Sequence, residues 1–214
     1  ENHDEQRIAS PQFAGDAFKG IPALILSATI STGPYMIYAG QELGEKAADA
    51  EGFSGMDGRT TIFDYWSVPS LRRWYNGGAC NGKKSTKEEK ELRKIYAKVL
   101  NMCNKEKTIS QGGFFDIMYV NYENLDASRQ FAYLRHHGNE VLLAVVNFAD
   151  EPAKVKITIP EHALSCTPLT EGTHQAKELI HNAKGTIKIK AGTPFDINIP
   201  ANDAVIWKFT IKAQ

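Results

Sequence analysis

Three polar side chains of different chemistry stand side by side near the start of the sequence, at Asn2, His3 and Asp4. They provide an amide, an imidazole and a carboxylate, which together donate and accept hydrogen bonds as sugar hydroxyl groups require. On an extended strand, adjacent side chains point to opposite faces, so the three converge on one ligand only where the backbone turns. The pattern predicts either a hydroxyl-binding site at the end of a strand or a solvated chain segment.

A second polar group follows an apolar segment further along the chain. Residues 35–39 are almost continuously apolar, as in a strand that is buried on both faces of a parallel sheet. Gly40 ends this run, and Gln41, Glu42 and Glu45 come directly after it. Two of these side chains, Glu42 and Glu45, are neighbouring carboxylates that could be mistaken for a catalytic pair.

The segment between the two polar groups has the composition of a helix. Residues 16–29 are largely apolar, and the length of this stretch favours a helix with Asp16 as its N-cap. Pro22 predicts either a kink or a later start of that helix. Residues 40–84 are rich in Gly, Asp, Ser and Asn, and they predict one long loop.

The chain changes character near residue 108. Before it, Thr86 and Glu89 form a capping-box signature, and apolar residues at spacings of three and four predict an amphipathic helix over residues 86–106. After it, short runs of alternating or continuous apolar residues are separated by turn residues, which predicts an antiparallel β-sandwich. The predicted strands include residues 131–133, 141–146, 155–159, 187–189, 195–199 and 205–211.

The composition excludes several classes of partner. The chain has 214 residues, with 25 Lys and Arg against 25 Asp and Glu, so no clustered basic excess predicts a nucleic-acid partner. The apolar run at residues 21–30 is too short for a membrane span. Cys80, Cys103 and Cys166 are too far apart in sequence for a metal-ligand pattern or a disulfide framework, and they predict packing residues or free thiols.

The two polar groups, in this order, resemble motifs of the alpha-amylase family of glycoside hydrolases. Glu1-Asn2-His3-Asp4 is similar to the fourth conserved region of that family, and residues 35–45 are similar to its eighth barrel strand with the following loop. The resemblance implies a multidomain α+β fold. Residues 1–107 would form the last βα units of an incomplete (β/α)8 TIM barrel, and residues 108–214 a C-terminal antiparallel β-sandwich domain.

The resemblance also implies roles for particular residues. Asp4 matches the carboxylate that stabilises the transition state, His3 matches a sugar-binding histidine, and Asn2 orients its neighbours beside the substrate. Arg7 is a further candidate for substrate binding; it pairs with Asp4 or another carboxylate, or it is an ordinary surface arginine. Glu42 is given a structural role, as is Glu45.

Four aromatic residues lie in the predicted loop, and two interpretations of them remain open. They form either a platform on which sugar rings stack or part of the packing in the core or between domains. Tyr65 and Trp66 are the candidates for substrate binding among them; the full set is Tyr65, Trp66, Trp74 and Tyr75.

The implied function is that of a retaining glycosidase or transglycosylase that acts on an α-linked glucan or oligosaccharide such as starch. The nucleophile and the general acid/base, about 5 Å apart in retaining enzymes, belong to earlier barrel strands in this family, as do its calcium-binding segments. We therefore expect an inactive chain without a cofactor. It would expose apolar helix faces, which predicts association with the upstream barrel segment or with itself. The alternatives are a non-catalytic carbohydrate-binding or scaffolding module and a catalytically dead relative.

Overall fold

The computed structural model describes residues 1–48, 56–63 and 65–211. The chain divides into two compact units, Glu1–Ile21 with Tyr35–Lys98 and Pro22–Pro34 with Val99–Gln214. The domain boundary at residue 108 stays a prediction. The described residues form helices α1 (Ile21–Thr29), α2 (Pro69–Tyr75), α3 (Lys87–Lys105), α4 (Lys107–Ser110) and α5 (Glu161–Cys166). None of these described helices is long and apolar enough to cross a membrane.

Helix α1 starts later than its apolar segment does. The Asp16 side chain accepts a hydrogen bond from the Phe18 N–H at 2.9 Å, and it thereby caps a short 3-10 turn over Ala17–Gly20. Pro22 occupies the second position of α1, where a helix has no partner for the missing N–H. Of the two effects predicted for Pro22, the structure contains the later start.

Helix α3 confirms the capping box. The Thr86 N–H donates to Glu89 Oε2 at 2.8 Å, and the Glu89 N–H donates to Thr86 Oγ1 at 3.2 Å. Two backbone donors that the first turn would otherwise leave unpaired are thus satisfied reciprocally. On the apolar face of the helix, Leu92 and Tyr96 are buried.

The expectation that α1 and α3 expose apolar faces is wrong. Leu24 and Ile25 of α1 are fully buried. Apart from Ile21, this helix belongs to the second unit, where Thr29 Oγ1 lies 2.5 Å from the Tyr133 hydroxyl oxygen and the Cys103 thiol donates to the Ala28 carbonyl oxygen. Sequence periodicity shows that a face is apolar, but it does not show which distant segment covers that face.

The segment between α1 and α3 differs from the prediction in two ways. Residues 35–39 pair with no other strand in the described part of the chain, so the predicted strand is not formed. A strand of a parallel sheet needs neighbours on its edges, and every described strand lies after residue 112. The predicted long loop contains α2, whose seven residues begin with Pro69 and are too few for a clear helical period.

The second unit contains an antiparallel β-structure, as predicted. Its six-stranded sheet has the order β1-β2-β3-β8-β5-β6, and β4 and β7 form a two-stranded sheet. The described strands are β1 (Gly113–Asp116), β2 (Gln130–His137), β3 (Glu140–Asn147), β4 (Ala153–Ile157), β5 (Gly172–Glu178), β6 (Lys184–Ile189), β7 (Phe195–Ile199) and β8 (Asp203–Thr210).

Apolar side chains that alternate with polar ones along the strands form the core of this unit. Val155 and Ile157 of β4 belong to one buried cluster with Leu143 of β3 and Phe209 of β8. Burying an aliphatic side chain of this size contributes about 1.5–3 kcal/mol. The β-structure is therefore stabilised mainly by side chains whose alternation is visible in the sequence.

The three cysteines are free thiols in different environments. Cys80 and Cys166 are exposed, whereas Cys103 is partly covered. Burial raises the pKa of the Cys103 thiol to about 11. Because the thiolate is the reactive form, Cys103 holds very little of it near neutral pH.

The different burial of the three thiols predicts the order in which they are alkylated. With iodoacetamide at about pH 8, we expect Cys103 to react about a hundredfold more slowly than the two exposed cysteines. Peptide mapping by mass spectrometry measures the three rates, and the urea-unfolded chain, in which all three should react alike, is the control. Equal rates in the folded chain would contradict the assignment.

Candidate functional site

A tight turn presents the first polar group. The Asn2 side-chain carbonyl accepts hydrogen bonds from the backbone N–H groups of Asp4 at 2.7 Å and Glu5 at 3.1 Å. This arrangement is typical of an Asx turn, in which Asn2 holds the backbone of the residues that follow it. Its role beside a substrate stays a prediction. The Asp4 side chain is 77% exposed and that of His3 48%, with His3 Nε2 at 3.4 Å from Asp4 Oδ2. The carboxylate and the imidazole are thus adjacent and accessible.

Arg7 joins this turn to the second polar group. Its guanidinium donates from Nη1 to Glu1 Oε2 at 3.0 Å, from Nη2 to the Ala39 carbonyl at 2.6 Å and from Nε to Thr60 Oγ1 at 2.9 Å. The group also lies 4.0 Å from the ring centre of Tyr38. Arg7 is 1% exposed, so the interpretation as a surface arginine is wrong, and its carboxylate partner is Glu1.

Glu1 is a site residue for which the sequence pattern predicted no role. Its side chain is 4% exposed, and its second oxygen accepts the Ile8 N–H at 2.7 Å. Both carboxylate oxygens therefore hold the segment that carries Asp4. The sequence did contain a signal for this ion pair, because Glu1 and Arg7 carry opposite charges on either side of Asn2, His3 and Asp4.

The Gly-Gln-Glu loop is built around a buried amide. Gln41 donates from Nε2 to the hydroxyl oxygens of Tyr35 and Tyr96, both at 3.1 Å, and its Oε1 accepts the Tyr38 N–H at 3.1 Å. Burial raises the pKa of Tyr35 and of Tyr96, so both hydroxyls stay neutral in ordinary buffers. Gln41 thus fixes the loop that follows residues 35–39.

Glu45 is structural, as predicted. It is 5% exposed, and its carboxylate accepts the N–H groups of Lys46, Ala47 and Ser70 together with the Ser70 hydroxyl. A carboxylate with four donors around it is occupied within the protein and is a poor candidate for acid/base chemistry on a substrate.

The side chains of Trp66 and Tyr75 are described by the structure, whereas that of Tyr65 is not. The Tyr65 side chain lies outside the described residues, although its backbone belongs to a 3-10 turn over Tyr65–Ser67. Trp66 is 64% exposed and Tyr75 54% exposed, so neither belongs to the core of this chain, and packing between domains stays a prediction for both. With Trp74 they line a cavity of about 730 Å³, whose described walls do not include Asn2, His3 or Asp4.

The described part of the chain offers no ready-made metal site. No three Asp, Glu, His or Cys side chains among the described residues are grouped as metal ligands. The arrangement can bind polar groups at the exposed pair of His3 and Asp4. Arg7 links the neighbouring Glu1 to Ala39 and Thr60, whereas Gln41 fixes the loop after residues 35–39.

Comparison with known proteins identifies the class of fold. Residues 121–210 match the family model described as the alpha amylase C-terminal all-beta domain. No curated protein sequence matches the chain. Similar solved structures include the maltogenic alpha-amylase AmyB from Thermotoga neapolitana (TM-score 0.63, 19% identity, 99% of this chain and 40% of that one). AmyP in complex with maltose (0.65, 15%, 100% and 41%) and the Geobacillus thermoleovorans alpha-amylase with acarbose (0.62, 14%, 100% and 38%) are also similar.

Residues 121–210 therefore resemble the C-terminal all-β domain of alpha-amylases. The chain as a whole has the fold of a C-terminal segment of alpha-amylases, and it spans about two fifths of the length of the structures that it resembles. The similarity covers the turn at Asn2–Asp4 as well as the β-domain, because the compared structures cover 99–100% of this chain.

Proposed function

We propose that this chain is the C-terminal part of a retaining glycoside hydrolase that acts on α-linked glucans such as starch and maltooligosaccharides. The observation that carries the proposal is the coverage: the alpha-amylase fold extends over the residues before the β-domain, including the polar turn. The complexes of AmyP with maltose and maltotriose, and of the Geobacillus enzyme with acarbose, support an oligosaccharide as the ligand.

Residues 1–107 would complete a (β/α)8 barrel in the longer protein. In it, residues 35–39 would become the eighth strand once neighbouring strands supply their hydrogen bonds. Exposed apolar side chains in the first unit support a covering segment: Met36 is 77% exposed and Phe63 75%. The partner of the first unit would accordingly be the preceding barrel segment of the same enzyme.

The exposed pair of His3 and Asp4 would bind the sugar at the cleavage site. Asp4 would accept hydrogen bonds from the sugar hydroxyls, and its negative charge would stabilise the positive charge that develops on the ring. His3 would bind the same hydroxyls beside it. Arg7 would act as a positioning residue rather than as a substrate ligand, because its donors are occupied by Glu1, Ala39 and Thr60.

Bond cleavage needs two further carboxyl groups. One attacks the anomeric carbon, and the other protonates the glycosidic oxygen and later takes a proton from water. We assign neither role to the described residues. The calcium site of the family would also belong to the preceding segment.

The proposal predicts that the purified chain has no hydrolytic activity. Release of reducing sugar from starch and maltoheptaose is measured for the chain and for the longer polypeptide encoded with it. We expect a rate equal to the buffer blank for the chain, and turnover with retained anomeric configuration, seen by proton NMR, for the longer protein. Hydrolysis by the chain itself, or inversion by the longer protein, would refute the proposal.

A further inference from the structure

A cavity in the first unit has the chemical character of a carbohydrate site. It encloses about 730 Å³, within the range of about 300–1,000 Å³ that is common for ligand sites. Its described walls combine aromatic and aliphatic surface with two cationic side chains and no carboxylate. They comprise Trp66, Leu71, Arg72, Trp74, Tyr75, Gly77 and Lys84.

The aromatic surface is open to solvent on one side and held in place on the other. Trp66 and Tyr75 are exposed by more than half of their surface. Trp74 is half-buried, and the Arg93 guanidinium lies 5.7 Å from its ring centre. Exposed aromatic rings on a fixed backing are suited to stacking on a flat apolar face of a ligand.

The loop after α2 fixes these rings. Asn76 has a positive φ of 49° at the end of the helix, and its side chain donates to Asn81 Oδ1 at 3.0 Å. The Gly82 N–H donates to the Trp74 carbonyl, and a side chain at Gly82 would approach the indole at 3.2 Å. The cavity is therefore largely organised before a ligand arrives, which lowers the cost of binding.

We propose that this pocket binds an α-linked glucose oligosaccharide by stacking sugar rings on Trp66 and Tyr75, with Arg72 and Lys84 donating hydrogen bonds to the hydroxyl groups. The α-linked character of the ligand rests on the proposed function. A neutral polyol fits these walls because each sugar ring offers an apolar face for the aromatic rings and oxygen acceptors for the two cations.

The experiment measures maltoheptaose binding to the full chain by isothermal titration calorimetry. Trp66→Ala and Tyr75→Ala should each weaken the affinity at least about tenfold. Trp66→Phe, which keeps a ring, should recover most of the affinity. Phe63→Ala is the matched control, because Phe63 is as exposed as these residues but does not line the pocket. Circular dichroism verifies that each variant is folded.

Several outcomes would overturn the inference. These are the absence of binding by the wild-type chain, unchanged affinity in both alanine variants, and an equal loss in the Phe63 variant. Equal binding of cellohexaose would overturn the α-glucan assignment. Hydrolysis by the longer protein is measured separately, so failure of this pocket and failure of the proposed function are distinguishable.

Discussion

In the longer enzyme, Asp4→Asn is expected to lower kcat on maltoheptaose by about 10²- to 10³-fold. Asparagine keeps the size of the side chain and removes the charge that makes its hydrogen bonds to sugar hydroxyls strong. Such bonds strengthen as positive charge develops on the ring, so the loss should fall mainly on kcat and less on KM. Steady-state kinetics with the purified enzyme would measure both constants.

Glu5→Gln is the matched control for this experiment. Glu5 is the exposed neighbour of Asp4, and its replacement removes the same charge from the same turn. We expect its kcat to stay within about twofold of the wild type, since surface substitutions away from a site have small effects. An Asp4→Asn enzyme that also stays within this range would contradict the role of Asp4 in the transition state.

Arg135→Met is expected to lower the free energy of unfolding of the chain by about 3–5 kcal/mol. The Arg135 side chain is buried, and its guanidinium donates to four backbone carbonyls of the described residues. The acceptors are the carbonyl oxygens of Ile30, Thr108, Ile109 and Gly112, at 2.8 to 3.2 Å. These lie at or just beyond the C-terminal ends of α1 and α4, where helices carry partial negative charge. Methionine fills the space of the stem but leaves the carbonyls without donors.

Urea unfolding followed by circular dichroism would measure this loss. Arg129→Met is the control, because Arg129 is exposed, and we expect it to change stability by no more than about 0.5 kcal/mol. A second measurement follows from His136, whose pKa is lowered by burial first and by the charge of Arg135 second. NMR titration should therefore show a higher His136 pKa in the Met variant. Equal stability of the two variants would contradict the role of Arg135.

Features with a local cause were predicted from the sequence. The capping box at Thr86 and Glu89 requires only residues three apart, and it formed as expected. The strands β4 and β7 show strict alternation because one face is buried and the other is solvated. Asn2 likewise bonds to the backbone of its own turn, an interaction that needs only neighbouring residues.

Features that depend on distant residues were missed. Strand β5 escaped prediction because its buried positions are Ala176 and Glu178, which give no apolar alternation. The Glu178 carboxylate is stabilised by the N–H groups of Ile180, His181 and Ile206, and the last of these lies on another strand. The four carbonyl acceptors of Arg135 are also set by tertiary structure rather than by local pattern. The same holds at the candidate site for two acceptors of Arg7, on Ala39 and Thr60.

Arg7 connects the motif at residues 1–4 with the segment at residues 35–45. One buried cation is shared by the Glu1 carboxylate and the carbonyl of Ala39, which directly precedes the Gly-Gln-Glu loop. A mutation that removes either charged partner strands the other in a dry interior, where an isolated ion is strongly disfavoured. We therefore expect Glu1 and Arg7 to be conserved or replaced together among relatives of this chain. An insertion near residue 39 should be rare unless residues 1–4 change as well.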